Sequence, residues 1–186
     1  MNLRAITVAR IAMLSALVVV FDYTMKFSRL KIRFPWLPFL KFDFTGIPIM
    51  LSVLIIGLAA GTATSIVAFL AILVRSGNII GASMKALAEF STVLGFYLGN
   101  KIIKDESKLR RPLSFILGCT MRILIMFIFT IPVFTLYYGM PLNTALTISP
   151  LVAAFNLLHG FLSMLGGSLL YEAIKRRVPS MLSKQE

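Results

Sequence analysis

The sequence predicts an all-α integral membrane protein, a single domain over residues 1–186 with six transmembrane helices. Apolar residues make up 58% of the chain, and the mean hydropathy is +0.89. A hydrocarbon core about 30 Å thick needs roughly 20 apolar residues per helix, and several runs in this chain approach that length. These runs do not alternate between apolar and polar residues, as the strands of a transmembrane barrel would, so helices are favoured.

Breaks in the apolar pattern predict the positions of the helices. The first span covers about residues 5–25 and is followed by a charged, aromatic, proline-bearing loop. The next apolar run is too long for one ordinary span and has Gly57 and Gly61 near its middle. Because glycine permits a tight turn at little steric cost, we divide this run into two short helices. The remaining spans are therefore predicted at about 47–59, 61–75, 80–103, 113–137 and 148–174.

Lysine and arginine residues predict that both termini are cytoplasmic, because cytoplasmic loops carry an excess of these residues. This orientation places eleven of the nineteen basic residues inside: Arg4, Arg10, Lys101, Lys104, Lys108, Arg110, Arg111, Lys175, Arg176, Arg177 and Lys184. The first outer loop is the exception, with Lys26, Arg29, Lys31, Arg33 and Lys41. That loop either simply tolerates charge or forms a basic lid that attracts an anionic or electron-rich ligand. Since the cytoplasmic excess accounts for most of the net charge of +12, no nucleic-acid partner is expected.

Polar groups inside the spans are the candidates for a functional site, because ionisable side chains cost several kcal/mol at the bilayer centre unless they are paired or face a cavity. They are Asp22, Arg75, Lys85, Glu89, Arg122, Asn156 and His159. Lys85 and Glu89 are four residues apart and can neutralise each other, either as a structural pair or within a site. Asn156 and His159 are three apart on one face, and they offer hydrogen-bonding groups to a planar heterocycle or to a neighbouring helix.

Small residues form a stripe along the first helix. Ala5, Ala9, Ala12 and Ala16 are spaced by four, three and four residues, a pattern that lets another helix backbone approach closely in a membrane. The stripe therefore predicts either a docking face for a partner or an intramolecular helix contact.

Four short segments together resemble a known family. Asp43-Phe-Thr-Gly-Ile-Pro-Ile-Met-Leu51 resembles the Asp-Phe-Ser-Asp-Ile-Pro type of segment in the riboflavin-specific S components of energy-coupling factor (ECF) vitamin transporters. Ala12-Met-Leu-Ser-Ala16 is similar to the small-residue docking motif of that family. Leu87-Ala-Glu-Phe90 resembles a Leu-Ala-Asn-Phe stretch, and Phe155-Asn-Leu-Leu-His-Gly160 resembles Phe-Asn-Leu-Ile-Lys-Gly. The resemblance covers nearly the whole chain.

The resemblance implies a substrate-capture subunit without enzymatic activity, in the plasma membrane of a prokaryote. Such a subunit holds one vitamin near the outer surface and works with a membrane-embedded T component and two ATPase subunits. The implied ligand is riboflavin or a related flavin, which is transported and is not a cofactor. His159 replaces a lysine of the riboflavin-type motif and Glu89 replaces an asparagine, which leaves another vitamin open. The expected ligand-binding residues are Phe42, Asp43, Phe44, Lys85, Glu89, Arg122, Asn156 and His159, and the expected docking residues are Ala5, Ala9, Ala12 and Ala16.

Missing motifs also favour a passive binding protein. The chain has no Gly-x-x-x-x-Gly-Lys-Ser/Thr phosphate loop and no His-Glu-x-x-His motif, and its single cysteine, Cys119, excludes a cysteine cluster for metal. We therefore expect no metal site and no enzymatic activity. The main alternative is a self-sufficient secondary transporter in which Asp22, Glu89 and His159 form an ion path. Such transporters are often built from inverted repeats, which this sequence lacks.

Overall fold

The computed structural model describes residues 3–102 and 109–178 of the chain, which form six α-helices and one β-hairpin. The predicted cytoplasmic residues Lys104, Lys108 and Lys184 lie outside these ranges. The elements, in chain order, are α1 (Leu3–Phe27), β1 (Ile32–Phe34), β2 (Leu37–Phe42), α2 (Gly46–Ile55), α3 (Leu58–Ser76), α4 (Ile79–Ile102), α5 (Arg110–Pro132), a π-helical turn (Val133–Tyr137) and α6 (Leu142–Arg177).

Five of the six helices, all except α2, are long and apolar enough to cross a membrane. Large apolar side chains such as Val74, Leu136 and Leu169 point outward from them. A water-soluble monomer rarely exposes so much apolar surface, whereas lipid contact favours it. Helix α2 has 10 residues and is about 15 Å long, so it is shorter than the hydrocarbon core. The prediction of six apolar helices is confirmed, with five of them of spanning length.

The turn between α2 and α3 lies at Gly57, which has a φ of 125°. Residues with a side chain rarely adopt this conformation, so glycine allows the chain to reverse there. Helix α2 consequently ends at Ile55, four residues before the predicted end of the second span. It is nevertheless central to the bundle, because it packs against α1, α3, α4 and α6. Its side chains Ile49 and Met50 are fully buried.

The last two helices begin earlier than hydropathy predicted. Helix α5 begins at Arg110 instead of residue 113, and α6 begins at Leu142 instead of residue 148. In the first turns of α6, the hydroxyl of Thr147 donates a hydrogen bond of 2.8 Å to the backbone carbonyl of Asn143. Apolar periodicity does not detect such polar turns.

The loop between α1 and α2 contains an antiparallel hairpin that the sequence did not predict. Ile32 pairs with Phe42, and Arg33 pairs with Lys41. The strands are short, and prolines in this loop weaken any strand signal. The ring of Phe34 packs 5.6 Å from that of Phe155 in α6. This contact secures the hairpin to the helical bundle.

Two ion pairs between helices mark the two ends of the bundle. Asp22 near the end of α1 pairs with Arg75 near the end of α3, next to the hairpin, and we call this the hairpin end. At the opposite end, Arg111 at the start of α5 pairs with Glu172 near the end of α6. This second end, which we call the terminal end, also holds the beginning of α1. Between the two ends lies an apolar core made of Val18, Ile49, Met50, Val93 and Met164.

Candidate ligand-binding site

A cavity of about 870 Å³ opens at the hairpin end of the bundle. Its wall combines residues of the hairpin with residues of α1, α3, α4, α5 and α6. Five of the eight residues predicted to bind ligand line this cavity, namely Asp43, Lys85, Arg122, Asn156 and His159. Glu89, Phe42 and Phe44 lie outside its lining, and Phe44 is exposed.

Four ionisable residues, three of them buried and Lys85 partly buried, form a connected group beside the cavity, which we call the buried charge cluster. The Nζ atom of Lys85 lies 2.8 Å from Glu89 Oε1, so the predicted pairing of these two residues is confirmed. The same Nζ lies 2.8 Å from Asp43 Oδ1, and Arg122 Nη1 lies 3.2 Å from Glu89 Oε1. With two cations and two carboxylates the cluster is electrically balanced, as burial in a membrane protein requires.

Arg122 holds three helices together from within the bundle. Its side chain is 1% exposed, and its Nη1 donates to the hydroxyl of Thr92 and the carbonyl of Ala88 in α4, at 3.0 and 3.3 Å. Its Nε donates to the Asn156 side-chain oxygen in α6 at 3.1 Å. The guanidinium therefore has neutral acceptors as well as Glu89, which fixes its position at the inner wall of the cavity.

Asp43 joins the loop between α1 and α2 to the cluster. Its Oδ1 accepts hydrogen bonds from the backbone N–H and the hydroxyl of Thr45, at 3.2 and 2.6 Å, immediately before α2 begins. Burial by itself raises the pKa of Asp43, but the nearby positive charges of Lys85 and Lys31 outweigh burial and hold the pKa well below its usual range. Asp43 is therefore a carboxylate, as its ion pairs require.

Gly46, the first residue of α2, allows the start of that helix to lie directly on α4 and α6. A Cβ atom at this position would collide with Glu89 Oε2 and with Ser163 Oγ. The start of α2 consequently contacts α4 and α6 more closely than any residue with a side chain would permit. This contact explains why glycine fits between Thr45 and Ile47.

His159 lines the cavity and has one buried ring nitrogen without a partner among the described residues. Its Nε2 lies 3.1 Å from the Asp43 carbonyl oxygen and 3.3 Å from Lys85 Nζ, while its buried Nδ1 has no hydrogen-bond partner among the described residues. If Nε2 donates to the carbonyl, a neutral ring keeps Nδ1 as an acceptor; if Nε2 accepts from Lys85, Nδ1 is a donor. Rings of Phe42 and Phe155 pack against the imidazole at 5.6 and 5.3 Å. Phe42 thus orients His159 from behind the cavity wall.

Asn156 is partly engaged within the protein. Its amide nitrogen donates to the Val152 carbonyl at 2.9 Å, and its oxygen accepts from Arg122. A side-chain amide has two N–H donors, so these two bonds leave one N–H for a ligand. Asn156 and His159 therefore both line the cavity, while Asn156 also binds a residue of a neighbouring helix.

A second ionic group connects the hairpin to α1 and α3. Asp22 is fully buried, and its carboxylate lies 2.6 Å from Arg75 Nε and 2.7 Å from Lys31 Nζ. Lys31 also lies 3.5 Å from Asp43. The sequence indicated Asp22 and Arg75 as polar residues within spans, but it did not identify Lys31 as their partner, because nothing local relates a loop lysine to these helices.

The alanine stripe lies on the outer face of α1. Ala5, Ala9, Ala12 and Ala16 are all exposed. An intramolecular helix contact would bury them, so within the described residues the stripe is open to lipid or to another protein.

Comparison with solved structures identifies the fold. The chain is similar to the S component of a bacterial ECF transporter, with a TM-score of 0.77 and 25% sequence identity over 96% of this chain and 98% of that chain. No family model matches the sequence. No curated protein matches it either. The fold is that of an ECF S component, and it agrees with the fold that the sequence motifs implied.

Proposed function

We propose that this protein is the substrate-binding S component of an ECF transporter and captures a vitamin in the cavity at the hairpin end. The observation that carries this proposal is the cavity of about 870 Å³, which opens at one end of an S-component fold. Small-molecule sites commonly have about 300–1,000 Å³ and combine apolar walls with a few convergent polar groups. This cavity has both, since Phe155 and Met126 line it together with Asn156 and His159.

For the ligand we propose riboflavin or a related flavin. The unpartnered Nδ1 of His159 and the remaining N–H of Asn156 would bind the polar edge of the ring system. A flavin ring carries both donors and acceptors along that edge, and His159 can present either kind of group. Another vitamin with a planar heterocycle remains the alternative.

Partners would supply the energy for transport. The sequence has no phosphate-binding loop for ATP, so we propose that a T component and two ATPase subunits drive uptake. The exposed stripe of Ala5, Ala9, Ala12 and Ala16 is the surface we propose for docking on the T component, since small residues allow close helix packing within a bilayer. The hairpin end would face outward and both termini would be cytoplasmic, in the plasma membrane of a prokaryote.

The alternative of a self-sufficient transporter has weaker support. Its ion path would connect Asp22, Glu89 and His159. His159 Nε2 is 3.8 Å from Glu89, but Asp22 belongs to the separate ionic group with Arg75 and Lys31. These carboxylates are already paired, so a proton path through them would first have to break ion pairs.

Flavin binding by the purified protein tests the proposal. The protein would be prepared in a neutral detergent and titrated with riboflavin while flavin fluorescence is recorded. We expect quenching at micromolar or lower concentration and a yellow preparation when flavin co-purifies. Absence of quenching by micromolar riboflavin would remove riboflavin as the ligand. Failure of a broader panel of vitamins to bind would contradict the assignment as a substrate-binding subunit.

A further inference from the structure

We propose that the substrate is not riboflavin itself but an anion, a related flavin or another vitamin whose carboxylate or phosphate group binds to basic side chains at the cavity mouth while its neutral polar ring lies deeper. The inference rests on the proposed function and names the chemical class of its substrate. The residues that carry it are Lys26, Arg29, Arg33 and Lys41, which we call the basic mouth. All four line the cavity and are exposed.

The deeper charges are largely neutralised within the protein. The buried charge cluster contains as many carboxylates as cations. The second ionic group holds two cations, Arg75 and Lys31, around Asp22, so the two groups together hold four cations and three carboxylates. The extra cation, Lys31, also lies 3.5 Å from Asp43, so an anionic group placed deep in the cavity would face that carboxylate. The inner wall therefore suits a neutral polar ring, beside His159 and Asn156.

The basic mouth, by contrast, has no internal counter-charge. Within residues 3–102 and 109–178, the acidic residues are Asp22, Asp43, Glu89 and Glu172. The first three are paired with other cations, and Glu172 pairs with Arg111 at the terminal end. Among these described residues, none of the four mouth side chains has a carboxylate partner within 4 Å. Four cations around one opening repel one another, and a bound anion would relieve that repulsion.

The backbone of Arg29 has an unusual conformation. It has a φ of 59°, in the left-handed region that residues other than glycine, asparagine and aspartate rarely occupy. Such a conformation has an energetic cost and occurs often at ligand sites. Here it occurs where the chain leaves α1, and it keeps Arg29 at the cavity mouth.

Membrane topology strengthens the argument. Positive residues normally concentrate in cytoplasmic loops, so a basic loop at the proposed outer end requires another explanation. A lipid phosphate in the outer leaflet and a phosphate or carboxylate on the substrate share the same chemistry. The mouth residues line the cavity itself, which favours the substrate.

Matched pairs of neutral and anionic vitamins test the inference. Calorimetric titration of the full chain in neutral detergent would compare riboflavin with flavin mononucleotide, pyridoxal with pyridoxal 5′-phosphate, and biotinamide with biotin. For the compound that fits the cavity, we expect the anionic member to bind roughly tenfold more tightly or better, since hydrogen bonds to charged groups are the stronger ones. This preference should shrink as salt rises from about 0.05 to 0.5 M, because exposed charges are screened.

Substitutions in the basic mouth test whether these residues cause the preference for the anionic vitamin. Arg29→Asn removes the charge and keeps a residue that tolerates the left-handed conformation. Arg33→Gln removes the charge from an exposed strand position, and Lys101→Gln is the control because Lys101 is exposed at the end of α4 far from the hairpin. We expect each mouth variant to lower the affinity for the anionic probe about fivefold, to leave the neutral probe unchanged and to keep the melting temperature. The control should change neither affinity.

Equal affinity for both members of every pair that binds would overturn the anion inference and leave the proposed function intact. Binding of no vitamin in the panel would contradict both. The lipid source is tested in nanodiscs of phosphatidylglycerol or phosphatidylcholine. Mouth variants that change only the association of phosphatidylglycerol, with no change in vitamin affinity, would assign the basic mouth to lipid headgroups and overturn the inference.

Discussion

Removing both members of the Arg122–Glu89 pair should destabilise the protein much less than the sum of the two single substitutions. Both side chains are 1% exposed, and the pair connects α5 to α4 across 3.2 Å. Glu89→Gln would leave Arg122 with neutral acceptors only, which gives the buried charge cluster one uncompensated positive charge. Arg122→Met would leave an uncompensated negative charge and would free the Asn156 oxygen and the Thr92 hydroxyl.

The structure sets the expected magnitude. Breaking a buried ion pair typically costs about 3–5 kcal/mol. Here Lys85 remains beside Glu89, and Asn156 and Thr92 remain beside Arg122, so we expect each single substitution to cost about 3 kcal/mol, the lower end of that range. For a chain of this length, that corresponds to a loss of about 6–12 °C in melting temperature. The double variant restores charge balance, and it should be more stable than the sum of the singles by about 2–3 kcal/mol.

Melting temperatures of the four proteins in the same detergent provide the measurement. The matched control is the exposed pair Arg111–Glu172, which also connects two helices but whose side chains are 62% and 33% exposed. Removing one or both of its members should cost at most about 1 kcal/mol. Simple additivity of Glu89→Gln and Arg122→Met would refute the electrostatic coupling that we infer for the cluster.

Three further predictions concern ligand binding, docking and packing. Asn156→Ala should weaken flavin affinity roughly tenfold or more, because an unmatched buried polar group costs about 1–3 kcal/mol; fluorescence titration measures this. Ala12→Trp and Ala16→Trp should abolish vitamin uptake in cells that contain the T component and the ATPases, yet preserve ligand affinity in the purified protein, since both alanines are exposed on α1 away from the cavity. Gly46→Ala should lower the melting temperature, because a Cβ atom would force apart Glu89 and Ser163 at a cost of about 1–3 kcal/mol.

Each of these predictions has a control and an outcome that contradicts it. Asn143→Ala changes an exposed asparagine of the same helix and should leave affinity unchanged; an equally unchanged affinity in Asn156→Ala would exclude Asn156 from the site. Val74→Trp places the same bulk at an exposed residue of α3, outside the stripe, and should leave uptake unchanged. Normal uptake in the alanine variants would exclude the stripe as a docking face. The comparison variant is Gly139→Ala. A Cβ atom at this position would meet no neighbouring atom, but Gly139 has a φ of 65°, so this substitution measures the cost of backbone strain without a steric clash. A Gly46→Ala variant no less stable than the parent would contradict the close contact.

Most of the helices could be predicted from the sequence, because the length of an apolar run and the glycines that interrupt it are local features of the chain. The ion pair between Lys85 and Glu89 was also predictable, since four residues of helix bring two side chains together. The contributions of Asp43 and Arg122 to the same cluster could not be derived from spacing, because they come from a loop and another helix. For that reason we do not expect Lys85 and Glu89 to behave as an isolated pair.

The largest feature that the sequence did not predict is the hairpin with its ionic contacts. Its strands are short and interrupted by proline, and its position depends on distant partners such as Phe155 and Asp22. The sequence identified the loop as basic but left open whether its charge had a function. Only the folded arrangement separates Lys31, which is paired, from the mouth cations that line the cavity without a carboxylate partner among the described residues.

Transport in a reconstituted membrane tests the central claim most directly. The chain would be placed in liposomes alone, with a T component and two ATPase subunits, and with the same subunits carrying an inactivated ATPase, and uptake of labelled riboflavin and flavin mononucleotide would be followed. We expect uptake only with the complete, ATP-hydrolysing assembly. Accumulation of either vitamin by the chain alone, driven by an ion gradient, would contradict its assignment as an S component and favour a self-sufficient transporter.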